Sequence, residues 1–223
     1  MESVKLPRRS PERAEQIADA VVHIVGVTTV MLAAPVLVTL AAVWRDDAAV
    51  IAAIAIYAAS LLIMVLSSAS YNLASIRLPQ GGLLELLRRI DHSAIYVKIA
   101  GTYTPFAVIA GGPLGRWLLI GVWTGAILGT AGKLFAPDRW ERLSIALYLA
   151  MGWAFVVAAG PISASLTTAT LVLIIIGGCL YSIGVIFHVW ERLPYQNAIW
   201  HVFVLIASLV FYSAMIVEVA IGT

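Results

Sequence analysis

Residues 88–106 read RRIDHSAIYVKIAGTYTPF, and this stretch decides how the rest of the chain is interpreted. It passes from two arginines through the carboxylate of Asp91 into an apolar run that ends near Pro105. A carboxylate at the mouth of a membrane helix is costly unless a partner compensates it, and such a residue commonly marks a functional site. The sequence therefore predicts that polar groups from other segments meet Asp91.

The composition is that of a membrane protein. Of the 223 residues, 61% are hydrophobic and 12% are charged, whereas soluble domains have about 45–50% apolar and about 25% charged residues. The lysines and arginines are scattered between apolar segments and form no basic patch, so nucleic acid is not a predicted partner. The single cysteine, Cys179, permits no disulfide within the chain.

Seven apolar stretches are long enough to cross a bilayer, because a membrane helix needs roughly 20 mostly apolar residues. They lie at about 18–43, 50–73, 91–111, 115–135, 141–159, 165–189 and 198–221. A short amphipathic piece, residues 83–90, precedes the third stretch. We predict an all-α, seven-transmembrane helix bundle, with an N-terminal cytoplasmic segment over residues 1–17 and one membrane domain over residues 18–223.

The positive charges are distributed unequally between the two sides of the membrane. With the N-terminus inside, 11 of the 14 lysines and arginines lie in inner segments, Arg45 and Arg116 lie outside, and Lys98 lies within a helix. The inner residues are Lys5, Arg8, Arg9, Arg13, Arg77, Arg88, Arg89, Lys133, Arg139, Arg142 and Arg192. Because cytoplasmic loops carry the excess of Lys and Arg, we predict a multi-pass protein of the plasma (inner) membrane with a cytoplasmic N-terminus and an external C-terminus.

This orientation brings polar side chains from five helices to the cytoplasmic side. They are Asp19, His23, Ser68, Asn72, Asp91, His92, His188, Asn197 and His201. His92 and His188 have an alternative interpretation as interfacial residues, and His23 as a residue that satisfies a neighbouring carbonyl. We expect Asp91 and His201 to share one polar site.

Lys98 lies seven residues after Asp91, on nearly the same helix face and roughly 10 Å further along the axis. We hypothesise that Lys98 belongs to a polar cavity with Asp19 and His23 and acts as a counter-ion to Asp91. The alternative is a lysine that extends to another polar group.

Three sequence blocks resemble those of the bacterial hemolysin III proteins. They are residues 67–72 (SSASYN), residues 88–106 and residues 193–205 (LPYQNAIWHVFVL), and the spacing Glu15-x3-Asp19-x3-His23 fits as well. These proteins are relatives of the progestin and adiponectin receptor family and, more distantly, of the alkaline ceramidases. The resemblance covers nearly the whole chain.

The resemblance implies seven helices and a cytoplasmic-side zinc site of three histidines and one aspartate. Ser68 and Asp91 match the family pattern and are the candidate catalytic residues. The metal positions are Asn72, Asp91, Asn197 and His201, so that asparagine stands at two positions where the family has histidine. A neutral amide oxygen suits harder cations than zinc. We therefore predict a degenerate metal site that does not bind zinc tightly.

Four functions remain open at this stage. The first is membrane homeostasis or lipid sensing after the loss of hydrolase chemistry. The second is a metal-dependent lipid-amide hydrolase, in which His23 or His188 joins Asp91 and His201 as a replacement ligand. The third is a pore-forming cytolysin, and the fourth is a proton or ion pathway. Membrane lipids are the expected partners, as ligand or as substrate, and enzyme activity and oligomeric state stay open.

Overall fold

The computed structural model describes residues 12–157 and 163–222, with the side chains of residues 137–142 left aside. Its seven main helices are α1 Arg13–Trp44, α2 Ala48–Ser75, α3 Gly82–Ala110, α4 Gly112–Phe135, α5 Pro137–Gly152, α6 Thr168–Val189 and α7 Gln196–Ile221. A single turn, Ala154–Val157, continues α5. The described residues include no strand, which confirms the predicted all-α class. Most of the predicted cytoplasmic segment and the end of the fifth predicted stretch lie outside the described residues.

Five helices, α1, α2, α4, α6 and α7, are long and apolar enough to cross a membrane. The other two predicted spans differ from them for physical reasons. Helix α3 has 29 residues, but charged side chains occur along its first half. Helix α5 has only 16 residues and leads toward residues 158–162, which are not described. The described chain is thus a multi-pass helical bundle in which α3 carries more charged residues than any other helix.

The predicted amphipathic piece and the third predicted span form one continuous helix, α3. No glycine or proline interrupts it between Leu83 and Ala100. In its first turns, Glu85 forms ion pairs with Arg88 and Arg89, each with a nitrogen–oxygen distance of 2.9 Å. Pairs at these spacings stabilise helices. The guanidiniums of Arg88 and Arg89 lower the pKa of Glu85, which precedes the predicted span, to about 2.

Helix α1 lies between α2 and α7, while α3 packs against α2 and α4, and α6 packs against α7. The largest fully buried side chains include Tyr57 of α2 and both Tyr96 and Phe106 of α3. The core therefore centres on the α2–α3 pair. Because α1 contacts α7 directly, polar residues from the two ends of the sequence can meet inside the bundle.

Polar contacts join three helices at the end of the bundle where α1 and α7 end and α6 begins. The Arg45 guanidinium donates a hydrogen bond of 2.6 Å to the backbone carbonyl of Glu218. The carboxylate of Glu218, which is only 2% exposed, accepts a hydrogen bond of 3.2 Å from the backbone N–H of Thr167. These contacts connect the end of α1, the start of α6 and the end of α7.

The charge distribution leads to a labelling prediction. In a Cys179→Ala background, which removes the exposed native thiol, an impermeant maleimide is expected to label Asp46→Cys and Arg116→Cys in intact cells. Arg77→Cys and Arg192→Cys are expected to react only after permeabilisation. All four positions are exposed, so a lack of reaction would report sidedness rather than burial. Labelling of Arg77→Cys in intact cells would reverse the predicted orientation.

Candidate functional site

Asp19, His23 and His201 form a compact group, called the Asp19 cluster below. Asp19 and His23 are one turn apart on α1, and both are buried, at 8% and 6% exposure. His201 Nδ1 of α7 lies 2.6 Å from Asp19 Oδ1, and His23 Nε2 lies 3.5 Å from Asp19 Oδ2. The two imidazole ring centroids are 4.3 Å apart. One carboxylate therefore contacts two imidazoles from opposite ends of the sequence.

The four-residue spacing of Glu15, Asp19 and His23 produces this arrangement, because residues four apart share one face of a helix. That face lies against the start of α7. At its outer margin, the backbone N–H of Tyr195 donates a hydrogen bond of 3.3 Å to the Glu15 carboxylate. Tyr195 has a positive φ of 58° and directly precedes α7. This face of α1 thus positions both the turn that precedes α7 and His201 within α7.

One nitrogen of the cluster lacks a hydrogen bond. His23 Nε2 is buried and has no hydrogen-bond partner among the described residues. Its 3.5 Å approach to Asp19 is close enough for an electrostatic contact but does not form a hydrogen bond. Buried polar atoms normally have a hydrogen-bond partner. The unpaired nitrogen of His23 therefore indicates that the cluster lacks a partner for one of its polar atoms.

Asp91 lies beside the Asp19 cluster. Its carboxylate is 8% exposed, interacts with the Ser68 hydroxyl, and is within electrostatic range of Asp19, His23 and His201. The two candidate catalytic residues, Asp91 and Ser68, are therefore neighbours. Asp91 is within electrostatic range of His201, whereas the hydrogen-bond partner of His201 is Asp19.

The two asparagines at the expected histidine positions have different surroundings. Asn72 is buried, and its amide donates hydrogen bonds to the Ser68 backbone oxygen at 2.9 Å and to the Ser68 hydroxyl at 3.5 Å. Asn197 is exposed, one turn before His201 on α7. Among the described residues, neither asparagine forms a hydrogen bond with the Asp19 cluster.

Comparison with known proteins agrees with this arrangement of blocks and helices. The family model for haemolysin-III-related proteins matches residues 13–212. The chain belongs to the haemolysin-III-related family. It is similar to the hemolysin-3 homolog of Bacillus subtilis (strain 168), with 41% identity over 192 residues, 86% of this chain and 88% of that protein. It is also similar to hemolysin-3 of Bacillus cereus, with 39% identity over 211 residues and 93% coverage of both chains.

A more distant relative lies outside the bacterial proteins. The human monocyte to macrophage differentiation factor is 30% identical over 127 residues, which cover 56% of this chain and 52% of that protein. The predicted resemblance to the hemolysin III proteins is therefore confirmed.

The family resemblance implies zinc, but the four aligned positions do not fit it. Zinc sites use imidazole, thiolate and carboxylate donors. Asn72, whose Nδ2 donates to Ser68, offers only a neutral amide oxygen, and so does the exposed Asn197. Only Asp91 and His201 keep suitable donor groups, and His201 already contacts Asp19. We therefore derive no catalytic step from a metal at these four positions.

Lys98 lies apart from the Asp19 cluster. Its side chain is buried, its ammonium donates a hydrogen bond of 2.6 Å to the Thr102 hydroxyl, and it lies 4.6 Å from the centroid of the Tyr57 ring and 5.8 Å from that of Phe211. The hydrogen bond and the ring contacts of the Lys98 ammonium do not involve Asp91. This arrangement argues against the counter-ion hypothesis. The side chain turns toward aromatic rings on α2 and α7 instead of extending back along α3.

Replacing Lys98 with methionine is expected to stabilise the protein by about 1–3 kcal/mol. A buried amine loses its hydration, and apolar side chains that replace buried ionic groups are often stabilising by this amount. The Thr102 hydroxyl would remain satisfied, because it also donates a 2.7 Å hydrogen bond to the carbonyl of residue 98. Thermal unfolding in detergent measures the effect. Lys98→Ala is the control, and it is expected to destabilise the protein by about 2–5 kcal/mol because it leaves a cavity. A methionine variant that is less stable than wild type would contradict this account.

The remaining two histidines do not join the cluster. The backbone carbonyl of His92 accepts a hydrogen bond of 2.7 Å from Tyr148, and the His188 ring packs against Trp200 with centroids 4.9 Å apart. Within the described parts of the chain, Asp19, His23 and His201 are the one group of His, Cys, Asp or Glu side chains arranged as a metal ion would require. The sequence predicted Asp19 and His23 as cavity residues and His23 as an alternative ligand, but it did not predict that both meet His201, although their four-residue spacing was visible.

Proposed function

We propose that this haemolysin-III-related protein acts in membrane homeostasis or lipid sensing, in the plasma (inner) membrane, without lipid-amide hydrolysis at the aligned family site. The observation that carries the proposal is the pair of asparagines, Asn72 and Asn197, at positions where the resemblance implies histidine. A zinc hydrolase needs the metal to acidify its nucleophilic water. With only a neutral amide oxygen at each of these two positions, that site lacks the imidazole donors for this chemistry.

A groove between α3 and α4 supports contact with a lipid. It has a volume of about 290 Å³. Its walls are formed by Val97, Trp123, Ala126, Ile127, Thr130, Ala131, Leu134 and Phe135. At one end, the Arg89 guanidinium donates a hydrogen bond of 3.0 Å to the Leu134 carbonyl. Apolar walls suit an acyl chain, and cationic side chains near the cytoplasmic surface attract anionic headgroups. An anionic membrane lipid is therefore the expected ligand.

Lipid-dependent stability tests this proposal. Protein in neutral detergent is titrated with phosphatidylglycerol or with phosphatidylcholine, and the melting temperature is measured. We expect a larger increase with the anionic lipid, and we expect Arg89→Gln to remove that difference. The matched control is Arg116→Gln. Arg116 is an exposed arginine in the first turns of α4. Equal responses to both lipids in wild type would contradict the proposed selectivity. Dye release and conductance of vesicles containing the protein test the pore-forming and ion-pathway alternatives.

A metal-dependent lipid-amide hydrolase is the second candidate. The observation that favours it is the position of Asp91 and Ser68 beside two imidazoles, because a carboxylate and imidazoles are the usual groups that move protons in hydrolysis. The test is release of fatty acid from a ceramide in mixed micelles, with and without added zinc. Zinc-dependent release that Asp91→Asn abolishes would establish the hydrolase and overturn the first proposal. Release no faster than in protein-free micelles would exclude hydrolysis of this substrate.

A further inference from the structure

We propose that Asp19, His23 and His201 bind one divalent transition metal ion, with zinc as the best match, in a site whose ligands come from α1 and α7. This site shares His201 with the aligned family positions but takes its other two ligands, Asp19 and His23, from α1. The inference concerns metal binding and does not depend on the proposed lipid function.

The distances within the Asp19 cluster suit a shared ion. One ligand atom from each of the three residues lies within 4.8 Å of the other two. Zinc bonds of about 2.0–2.2 Å in tetrahedral geometry separate neighbouring donors by about 3.3–3.6 Å, and His23 Nε2 lies 3.5 Å from Asp19 Oδ2. The 2.6 Å contact between Asp19 and His201 is a hydrogen bond, so a metal would replace its proton and lengthen it.

The unsatisfied nitrogen of His23 is independent evidence for a ligand. The His23 side chain is 6% exposed, and its Nε2 faces the Asp19 carboxylate without a hydrogen bond from any described residue. A bound cation would satisfy this lone pair. Asp19 and His201, on α1 and α7, already contact each other at 2.6 Å.

The donor set and the local charge also favour a transition metal. Two imidazoles and one carboxylate form a three-residue set known from zinc proteins, with a fourth position left for water. Asp91 lies outside the group of mutually close donors but remains within electrostatic range of all three members. Its carboxylate adds a second negative charge, and two carboxylates together balance the two positive charges of the ion.

Metal titration of four histidine variants tests the proposal, because the chain has four histidines and two of them belong to the cluster. The protein is purified with a tag that lacks histidine, stripped with a chelator and titrated with Zn²⁺ or Co²⁺ alone. We expect one bound equivalent, visible Co²⁺ absorption typical of tetrahedral coordination, and a higher melting temperature with metal. His23→Gln and His201→Gln are expected to weaken binding by at least about 100-fold, since even the loss of supporting residues around a metal costs about 10–100-fold.

His92→Gln and His188→Gln are the matched controls, and both are expected to bind metal as wild type does. Asp19→Asn keeps the size of the side chain and should also lose binding. Three results would overturn the proposal: no stoichiometric metal in folded wild type, equal loss in the control variants, or binding that survives His23→Gln and disappears in Asn72→Ala. The last result would place the metal at the aligned positions. The titration contains no added lipid or substrate, so its failure leaves the lipid experiment unaffected.

Discussion

Replacing both Asn72 and Asn197 with histidine is expected to create a zinc site of three imidazoles and one carboxylate. Position 72 adjoins Ser68, which interacts with Asp91, and position 197 lies one turn before His201. The double variant therefore offers the complete donor set that tetrahedral zinc prefers. Binding to the folded state alone stabilises it by about 2.7 kcal/mol at a free zinc concentration 100 times the dissociation constant.

The experiment is best carried out with Asp19→Asn included, so that the Asp19 cluster does not contribute zinc of its own. Zinc stoichiometry and melting temperature are compared with and without added zinc. Each single histidine replacement is expected to bind more weakly than the double, because it supplies only two of the three imidazoles. A double variant that neither retains zinc nor gains zinc-dependent stability would show that the cavity has been remodelled, and the alignment of these positions would be wrong.

Gly101→Ala is expected to destabilise the protein by about 3 kcal/mol, at the upper end of the usual cost of overpacking. Gly101 lies where α3 meets α2. A Cβ atom added there would overlap the Ser60 hydroxyl and lie 2.5 Å from Ser60 Cβ. Rotating the serine side chain moves its hydroxyl but not its Cβ, so the two helices would have to separate in the most buried part of the bundle. Thermal or denaturant unfolding in detergent measures the loss.

The matched control is Gly121→Ala on α4, where an added Cβ meets no atom within 4 Å. This variant is expected to be neutral or more stable by up to about 1 kcal/mol, as alanine is the better helix former. Ser60→Gly combined with Gly101→Ala should recover part of the loss, because the next atom, the Ile56 carbonyl oxygen, is at an ordinary 3.5 Å. If the double variant is no better than Gly101→Ala alone, the clash with Ser60 is not the cause.

Much of the fold could be predicted from the order of residues along the chain. Hydrophobic runs of membrane-spanning length locate helices because a bilayer leaves backbone polar groups no other partners. The predicted runs for α1, α2, α4, α6 and α7 end within a few residues of the observed helices. Helix α3 was harder, because its charged first turns resemble a separate surface segment, although nothing in the sequence breaks the helix.

The sequence blocks around Asp91 and His201 also consist of residues that are close together along the chain. They were sufficient to indicate the family and the helices that carry polar groups. The four-residue spacing of Glu15, Asp19 and His23 fits the same family. These features depend on neighbours in sequence, so the sequence by itself determined the class of fold, the family and the residues that are costly to bury.

Only the tertiary structure decided which polar groups meet. Spacing along α3 allowed Lys98 to approach Asp91, but the packing of α2 and α7 places its ammonium on Thr102 and beside Tyr57. In the same way, the contact between α1 and α7 brings Asp19 to His201, 182 residues away. Partner choice depends on how helices rotate and pack against each other, because each side chain satisfies its charge with the nearest group in space. The sequence determines which charges enter the bundle, and the packing determines how they are compensated.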